Sequence, residues 1–342
     1  MKISSKQVTD KWTEFTLVND KQMSVSLLNY GGIITEIMVP DRDGNRENVV
    51  LGFKNITDYQ ANPAFFGALI GPVAGRIEKA SFQLDGKTYP LEKNDGENHL
   101  HSGSNGFHQV LWDAVPFQTN EAVGVKLRHQ TDPKNGFPGH VDVTVTYCLT
   151  NDNQLTLDYH ATTDQTTPIA LTNHSYFNLN GSAKQEVTNH YVTFNSNAFL
   201  ELDEKLIPTG KTIEVDNSTF DFRTGRFLKD GTTTASLQHQ VANDGYDHYF
   251  LFDGNGHVQI TEETSGRTLD VRTTQPGMVM YTSNTLEGGM ELAEGQSGSY
   301  MGVCFETQGS PASLHHNHIS SILLKPDKIY QEKTVFSFGI QA

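Results

Sequence analysis

The chain has 342 residues, with 40 acidic against 25 basic side chains and a formal net charge of −15. Nucleic acid and anionic membrane surfaces both repel so acidic a chain, which argues against partners of either kind. Its two cysteines, Cys148 and Cys304, lie far apart without C-x-x-C spacing and indicate neither a zinc site nor a disulfide framework. With no apolar leader and no run of 18 apolar residues, the sequence predicts a cytoplasmic protein.

Alternation of apolar and polar residues with period 2 dominates the chain, and the helical period of 3.6 is scarce. Strands are predicted, in chain order, at 82–84 and 89–91 around an Asp85-Gly86 turn, at 141–149 and 155–159 around a turn at 151–153, at 250–252, at 258–260, at 322–324 and at 330–338. Short helices are predicted near 55–60 and 236–242.

Many short strands separated by frequent turns are typical of antiparallel sandwiches and barrels, so the sequence predicts an all-β, mainly antiparallel fold. No Pro-rich or Gly/Ser-rich linker, internal repeat or low-complexity tract interrupts it. We therefore expect a single domain over residues 1–342.

His174 lies in a polar and aromatic run, Leu171-Thr172-Asn173-His174-Ser175-Tyr176-Phe177-Asn178-Leu179, after a strand-like segment. Imidazole has the unperturbed pKa closest to neutrality, so this side chain is suited to giving or taking a proton. A lone histidine is nevertheless more often a hydrogen-bonded core residue than a catalytic one. Partners elsewhere in the chain must decide between the two interpretations.

Three further segments supply candidate partners. Arg76 follows two glycines and a proline in Gly71-Pro72-Val73-Ala74-Gly75 and offers a rigid fork of donors, although such an arginine is more often a surface ion-pair partner. Asp247 stands before an apolar strand, where a carboxylate accepts hydrogen bonds from neutral hydroxyls or simply caps a turn. Glu306 lies near the end of another apolar strand, and burial there would raise its pKa and suit it as a general base.

Two groups of histidines suggest metal binding and do not complete a ligand set. His99 and His101 would share one face of an extended strand, but spacing marks no third ligand. His315, His316 and His318 are interpreted as a solvated loop cluster. The sequence therefore predicts no metal site.

An acid, a base, an anchoring aspartate and an arginine fork suit a neutral polyhydroxy ligand. Phe177, Phe107 and Tyr281 are candidates for stacking on its apolar face. The chain lacks a serine-hydrolase elbow, a Rossmann fingerprint and a phosphate loop. Glycoside cleavage by Glu306 and Asp247 is conceivable but does not account for the histidines.

These segments resemble the aldose 1-epimerases, the galactose mutarotase family, over nearly the whole chain. The matching motifs occur in the family's order: Asn29 to Gly32, Leu51 to Phe53, Gly71 to Arg76, Leu100 to Gly103, Thr172 to Leu179, Gly245 to His248, Thr274 to Gly277 with Tyr281-Thr282, and Phe305 to Gln308. The resemblance implies a large two-sheet β-sandwich with a few short helices and an open sugar cleft.

When the family's functional residues are matched to positions in this chain, the resemblance implies that His174 is the general acid, Glu306 the general base and His101 a second active-site histidine. It implies that Arg76 and Asp247 bind the sugar. The expected activity is interconversion of the α and β anomers of a hexose such as galactose or glucose, with no cofactor. We expect His174 to be protonated when sugar binds and to face Glu306 across the anomeric carbon.

The chain departs from the family pattern at two positions that bear on sugar preference. Gly75 stands where many relatives have an asparagine beside the arginine, and Val279 where many have glutamine. The alternatives are an epimerase acting on the reducing end of a disaccharide such as maltose, and a non-catalytic sugar-binding protein. A hexose-phosphate epimerase would need more basic residues than these motifs contain. The sequence leaves open whether the chain is a monomer or a homodimer.

Overall fold

The computed structural model describes residues 1–341, apart from the side chain of Lys134, and is built mainly of antiparallel strands. Strands are numbered along the chain. A five-stranded sheet contains β1 (Lys2–Gln7), β2 (Thr13–Val18), β3 (Ser24–Leu28), β4 (Ile34–Pro40) and β5 (Arg46–Asn48), in that order.

Two larger sheets form the body of the molecule. The nine-stranded sheet has the order β11 (Asp113–Gln118), β12 (Ala122–Gln130), β13 (Val141–Thr150), β14 (Gln154–Thr163), β30 (Tyr330–Ile340), β24 (Arg267–Thr273), β23 (Gly256–Thr261), β18 (Tyr191–Phe194) and β21 (Arg226–Phe227). The six-stranded sheet has the order β17 (Tyr176–Phe177), β28 (Val303–Thr307), β25 (Gly277–Tyr281), β22 (Asp247–Leu251), β19 (Ala198–Leu202) and β20 (Pro208–Glu214).

Short ladders and helices connect these sheets. The two-stranded ladders are β6 (Leu69–Ile70) with β16 (Thr172–Asn173), β7 (Arg76–Ile77) with β10 (His99–Leu100), β8 (Ser81–Leu84) with β9 (Lys87–Pro90), β15 (Thr167–Pro168) with β29 (Leu323–Leu324), and β26 (Glu291–Leu292) with β27 (Gly295–Gln296). The helices are α1 (Lys229–Thr232) and α2 (Leu237–Val241), with 3₁₀ turns at Ile56–Gln60, Glu78–Ala80, Gly103–Asn105, Phe107–Gln109, Pro133–Asn135, Val187–Asn189 and Pro311–Leu314.

The main core consists of apolar side chains packed between the two large sheets. β13 alternates between buried and partly exposed positions along its length, as a strand with one covered face does. Its inward residues join one cluster with apolar residues of the six-stranded sheet, among them Phe199, Phe250, Met278 and Phe305. The fold is therefore the β-sandwich that the sequence predicts, and the fold-class prediction is confirmed.

The local predictions agree with the structure where turn chemistry is strong. Asp85 and Gly86 both have positive φ, 51° and 75°, as a tight hairpin turn requires. Ser236 caps α2 by accepting a hydrogen bond from the His239 N–H. The predicted strands at 250–252 and 258–260 exist, but β22 belongs to the six-stranded sheet and β23 to the nine-stranded sheet. The chain crosses from one large sheet to the other between them, because β22 pairs with β19 and β25 whereas β23 pairs with β18 and β24.

Among residues 1–341, no helix has the length and apolar character needed to cross a membrane.

Candidate active site

One face of the six-stranded sheet forms a wall of a cleft in the protein surface. Asp247 pairs with Tyr281 across β22 and β25, and Val279 pairs with Glu306 across β25 and β28. Directly opposed residues, and residues two apart on one strand, project to the same side of a sheet. The four side chains therefore share one face, and all four line a cavity of about 410 Å³.

His174 reaches this cavity from the short ladder β6–β16. Its backbone N–H donates to the Ala68 carbonyl at 2.8 Å, and its own carbonyl accepts from the Gly67 N–H at 3.1 Å. The ring places Nε2 3.5 Å from Oε1 of Glu306. Both side chains are deeply buried, so solvent competes little with this contact.

Gly67 lets the chain fold closely enough to support His174. It has φ +63°, and a Cβ there would lie 1.9 Å from the Ile34 carbonyl oxygen. Its own carbonyl accepts from the side-chain amide of Asn173 at 2.8 Å. Any side chain at position 67 would push β4 away from the segment that holds His174.

Arg76 lies in the ladder β7–β10, where it pairs with Leu100, and His101 directly follows β10. The Gly75 N–H donates to Nδ1 of His101 at 3.1 Å. Since Nδ1 is the acceptor, the neutral ring carries its proton on Nε2 and presents a donor.

Arg76 is held between two carboxylates. Its Nε donates to Oδ2 of Asp95 at 2.7 Å, and its NH1 lies 3.8 Å from Oδ2 of Asp247. Burial disfavours the charged guanidinium, but Asp247 and Asp95 outweigh burial and raise the pKa of Arg76. The cation therefore stays charged at the edge of the cavity.

Burial pushes His174 and Glu306 towards their neutral forms. It lowers the pKa of His174 to about 4. Burial, and after it the nearby Asp247 carboxylate, raises the pKa of Glu306 well above its ordinary value, while Arg76 opposes the rise. Burial therefore favours the uncharged form of the pair, in which the imidazole is neutral and the proton resides on Glu306.

Asp247 and His101 are also shifted. Burial raises the pKa of Asp247 to about 6; Arg76 lowers it and Asp95 adds to the rise. Burial lowers the pKa of His101 well below its ordinary value, and the nearby His174 and Arg76 add to this because they disfavour a second positive charge. His101 is therefore a neutral hydrogen-bond donor at pH 7.

His101, His174 and Glu306 have the residue types of a cation site, and their candidate ligand atoms lie within 4.8 Å of one another. A metal-bound imidazole nitrogen carries no proton. Because Nδ1 of His101 already accepts the Gly75 N–H, its Nε2 is protonated and unsuited to ligation. The arrangement fits proton transfer better than metal binding.

Two of the three predicted stacking aromatics are wrong. Phe177 and Phe107 are buried in the main core cluster, because their strand and turn positions face the sandwich interior. Tyr281 does line the cavity. No sequence pattern indicates Phe65, which lines the cavity with its ring centroid 4.8 Å from that of His101 and 5.9 Å from that of His174. Phe65 has φ 57°, an uncommon conformation for a bulky residue.

The structure brings His174, Glu306, His101, Arg76 and Asp247 into one cavity. They do not adopt the expected arrangement around the sugar, because a contact of 3.5 Å leaves no room for a carbon atom between His174 and Glu306. The two side chains lie side by side on the cavity wall.

The other histidines do not join this site. The backbone turns left-handed at His101, with φ 51°, so the extended segment that would align His99 with it ends at Leu100. Nδ1 of His99 instead lies 2.7 Å from the Glu92 carbonyl oxygen. His315 and His318 are exposed, as expected of a solvated cluster, whereas His316 is half-buried.

A histidine–glutamate pair beside an arginine–aspartate pair in one cleft is suited to moving protons on a neutral hydroxylated ligand. The chain belongs to the aldose 1-epimerase family, whose model matches residues 13–337. It is accordingly an isomerase that interconverts the anomers of an aldose.

Named relatives and a solved structure are similar to this chain over nearly its full length. The chain is 39% identical to galactose mutarotase of Bos taurus over 335 residues, which are 96% of this chain and 94% of that protein. It is 32% identical to aldose 1-epimerase of Escherichia coli K12, covering 94% of each. The crystal structure of galactose 1-epimerase from Lactobacillus acidophilus NCFM superposes with a TM-score of 0.88 at 29% identity, covering 100% of this chain and 99% of that one.

Proposed function

We propose that this enzyme acts on a free hexose such as galactose or glucose, with Glu306 and His174 as the groups that transfer protons. The observation that carries the proposal is the 3.5 Å contact between His174 Nε2 and Glu306 Oε1 on the wall of the cavity. Mutarotation needs one proton removed from the C1 hydroxyl and one delivered to the ring oxygen. Both oxygens are bonded to the same carbon, so two catalytic groups lying side by side match them.

The reaction then proceeds through the open-chain aldehyde. Glu306 as carboxylate takes the proton of the C1 hydroxyl while His174 as imidazolium protonates the ring oxygen, and the C1–O5 bond breaks. Rotation about the C1–C2 bond presents the other face of the aldehyde. The roles reverse on ring closure, and the pair ends with the single proton with which it began.

The productive charge state requires Glu306 to pass its proton to His174. The two forms have the same net charge, so the transfer needs no proton from solvent. The charge of Arg76 favours the carboxylate of Glu306. His101, which presents Nε2–H, supports the reaction by donating to a sugar oxygen.

Arg76 and Asp247 hold the sugar through its hydroxyl groups. The 3.8 Å between Arg76 NH1 and Asp247 Oδ2 is longer than a hydrogen bond. A hydroxyl near both side chains therefore accepts from the guanidinium and donates to the carboxylate. Such contacts fix the ring and reduce the entropy lost in orienting C1 over the catalytic pair.

The proposal treats residues 1–342 as one domain. Pairing of the C-terminal β30 with both β14 and β24 supports it, because the end of the chain completes the middle of the nine-stranded sheet. A cytoplasmic location is consistent with Cys148 and Cys304, which are unpaired thiols.

Polarimetry on freshly dissolved α-galactose, α-glucose, α-xylose and maltose tests the function and ranks the sugars. We expect the purified protein to accelerate the decay of optical rotation well above the spontaneous rate for at least one hexose. Acceleration of none of these sugars, by a protein that binds them, would favour a sugar-binding protein and contradict the proposal.

The pH dependence tests the role of Asp247. We expect kcat/KM to fall as pH falls through about 6, because protonation of Asp247 removes a carboxylate that accepts from the sugar. A further fall near pH 4 is expected as the catalytic pair takes up a second proton. In Asp247→Asn, kcat/KM should be lower throughout and the limb near pH 6 should be absent. Asp10→Asn is the matched control, because Asp10 is exposed, and its pH profile should match that of the wild type. If Asp247→Asn retained the limb near pH 6, another group would be responsible for it.

A further inference from the structure

Arg76 lies between two depressions in the surface. It lines the catalytic cavity and also a neighbouring groove of about 470 Å³, whose other lining residues include Asp95, Glu204 and Leu237. Asp95 lines only the neighbouring groove. The carboxylate thus lies behind the guanidinium, on the side away from the catalytic pair.

Asp95 makes the shortest contact that the structure gives for Arg76. Oδ2 of Asp95 accepts from Nε at 2.7 Å, the length of a charge-assisted hydrogen bond. The side chains of Arg76 and Asp95 are 21% and 34% exposed, so water screens this pair less than one on the open surface.

A rigid turn holds Asp95 in place. The carbonyl of Asp95 accepts from the Asn98 N–H at 2.9 Å, and Gly96 between them has φ +59°. The preceding Asn94 pairs with the backbone of Leu100, donating to its carbonyl at 2.9 Å and accepting from its N–H at 2.8 Å. Since Leu100 pairs with Arg76 across β10 and β7, the turn is fixed to the strand that carries the arginine.

We propose that Asp95 is a positioning residue for sugar binding, which anchors Nε of Arg76 so that NH1 and NH2 face the sugar hydroxyls. The proposal rests on the assignment of Arg76 as a sugar-binding residue. Asp95 acts through Arg76 and does not touch the sugar.

The alternative arrangement of Arg76 shows what the anchor prevents. Asp247 and Glu306 are the other acidic groups that act on the charge of Arg76. Without Asp95, the guanidinium is free to move towards Asp247 and close the present gap of 3.8 Å. A direct Arg76–Asp247 ion pair would occupy the donors and the acceptor that a hydroxyl needs. Sugar binding would then have to break that pair, so the apparent affinity would fall.

Steady-state polarimetry on Asp95→Ala and Asp95→Asn tests this inference. A hydrogen bond to a charged group implies a rise in KM of about tenfold or more in Asp95→Ala, while kcat should stay within about threefold of the wild-type value. Asp95→Asn keeps an oxygen acceptor for Nε and should restore part of the affinity. Glu97→Gln is the matched control, because Glu97 is an exposed acid in the same turn that pairs with Lys93. The KM of Glu97→Gln should equal that of the wild type.

A double-mutant cycle with Arg76→Ala separates positioning from general stabilisation of the fold. If Asp95 acts through Arg76, adding Asp95→Ala to Arg76→Ala should leave KM unchanged. The inference would be overturned if Asp95→Ala raised KM equally in the wild-type and Arg76→Ala backgrounds, or if it lowered kcat without changing KM. Thermal melting identifies any variant that is merely unfolded. Wild-type protein without epimerase activity, or Arg76→Ala with wild-type KM, would instead refute the proposed roles on which this inference rests.

Discussion

Replacing Glu306 with glutamine is expected to slow enzymatic mutarotation by at least about 10²-fold, the usual contribution of one positioned base. Glutamine has nearly the same shape and keeps the packing of β28 against β25 and β17. It cannot accept a proton from the C1 hydroxyl, and it holds no proton to pass to His174. The loss should therefore appear in kcat, with the sugar still bound through Arg76 and Asp247.

Polarimetry under saturating sugar, corrected for the spontaneous rate, measures the effect of Glu306→Gln. Glu121→Gln is the control, because Glu121 is exposed in the turn between β11 and β12 of the other large sheet. A Glu306→Gln enzyme with a near-wild-type kcat would remove Glu306 from the role of base.

Replacing His174 with asparagine is expected to reduce kcat by a similar factor of at least about 10². Asparagine can donate a hydrogen bond to the ring oxygen but cannot transfer a proton to it. The effect also reaches the base. With its pKa raised by burial, Glu306 gives up its proton less readily, and in this variant no imidazole is present to take it. His174→Asn therefore removes the acid and inactivates the base together.

This coupling predicts that the two substitutions are not additive. The double variant Glu306→Gln with His174→Asn should be about as slow as either single variant, because residues that act as one unit are lost together. His160→Asn is the control, since His160 is exposed on β14 of the nine-stranded sheet. A double variant slowed by the product of the two single effects would show that the residues act independently.

The sequence predicted elements where local chemistry decides the conformation. The Asp85-Gly86 turn adopts positive φ angles, and α2 begins after Ser236. Alternation also located the three longest strands, β13, β14 and β30, because burial of one sheet face imposes period 2. Alternation does not say which strands pair, so the separation of β22 and β23 into different sheets could not be foreseen. Nor does a local pattern show which aromatic side chains face the cleft, so the prediction that Phe107 and Phe177 stack on the ligand is wrong.

The sequence predicted which residues form the candidate site but not how they are arranged. All five residues that the resemblance singled out lie in the cavity. Their mutual arrangement depends on strand register and backbone turns, such as the left-handed conformation of His101, which the sequence does not specify. Asp95 was overlooked within a polar segment that offered several equivalent carboxylates and amides. Its contact with Arg76 arises only when the turn folds back over β7.

The distance along the chain between the cavity residues has a consequence for how activity arises during folding. Arg76 and His101 come from the first third of the sequence and Glu306 from a strand close to the C-terminus. Closing such long loops is entropically unfavourable and slow compared with forming local hairpins. We therefore expect most of the hairpins to form before β28 brings Glu306 next to His174. During refolding, recovery of catalysis should then lag behind recovery of strand content.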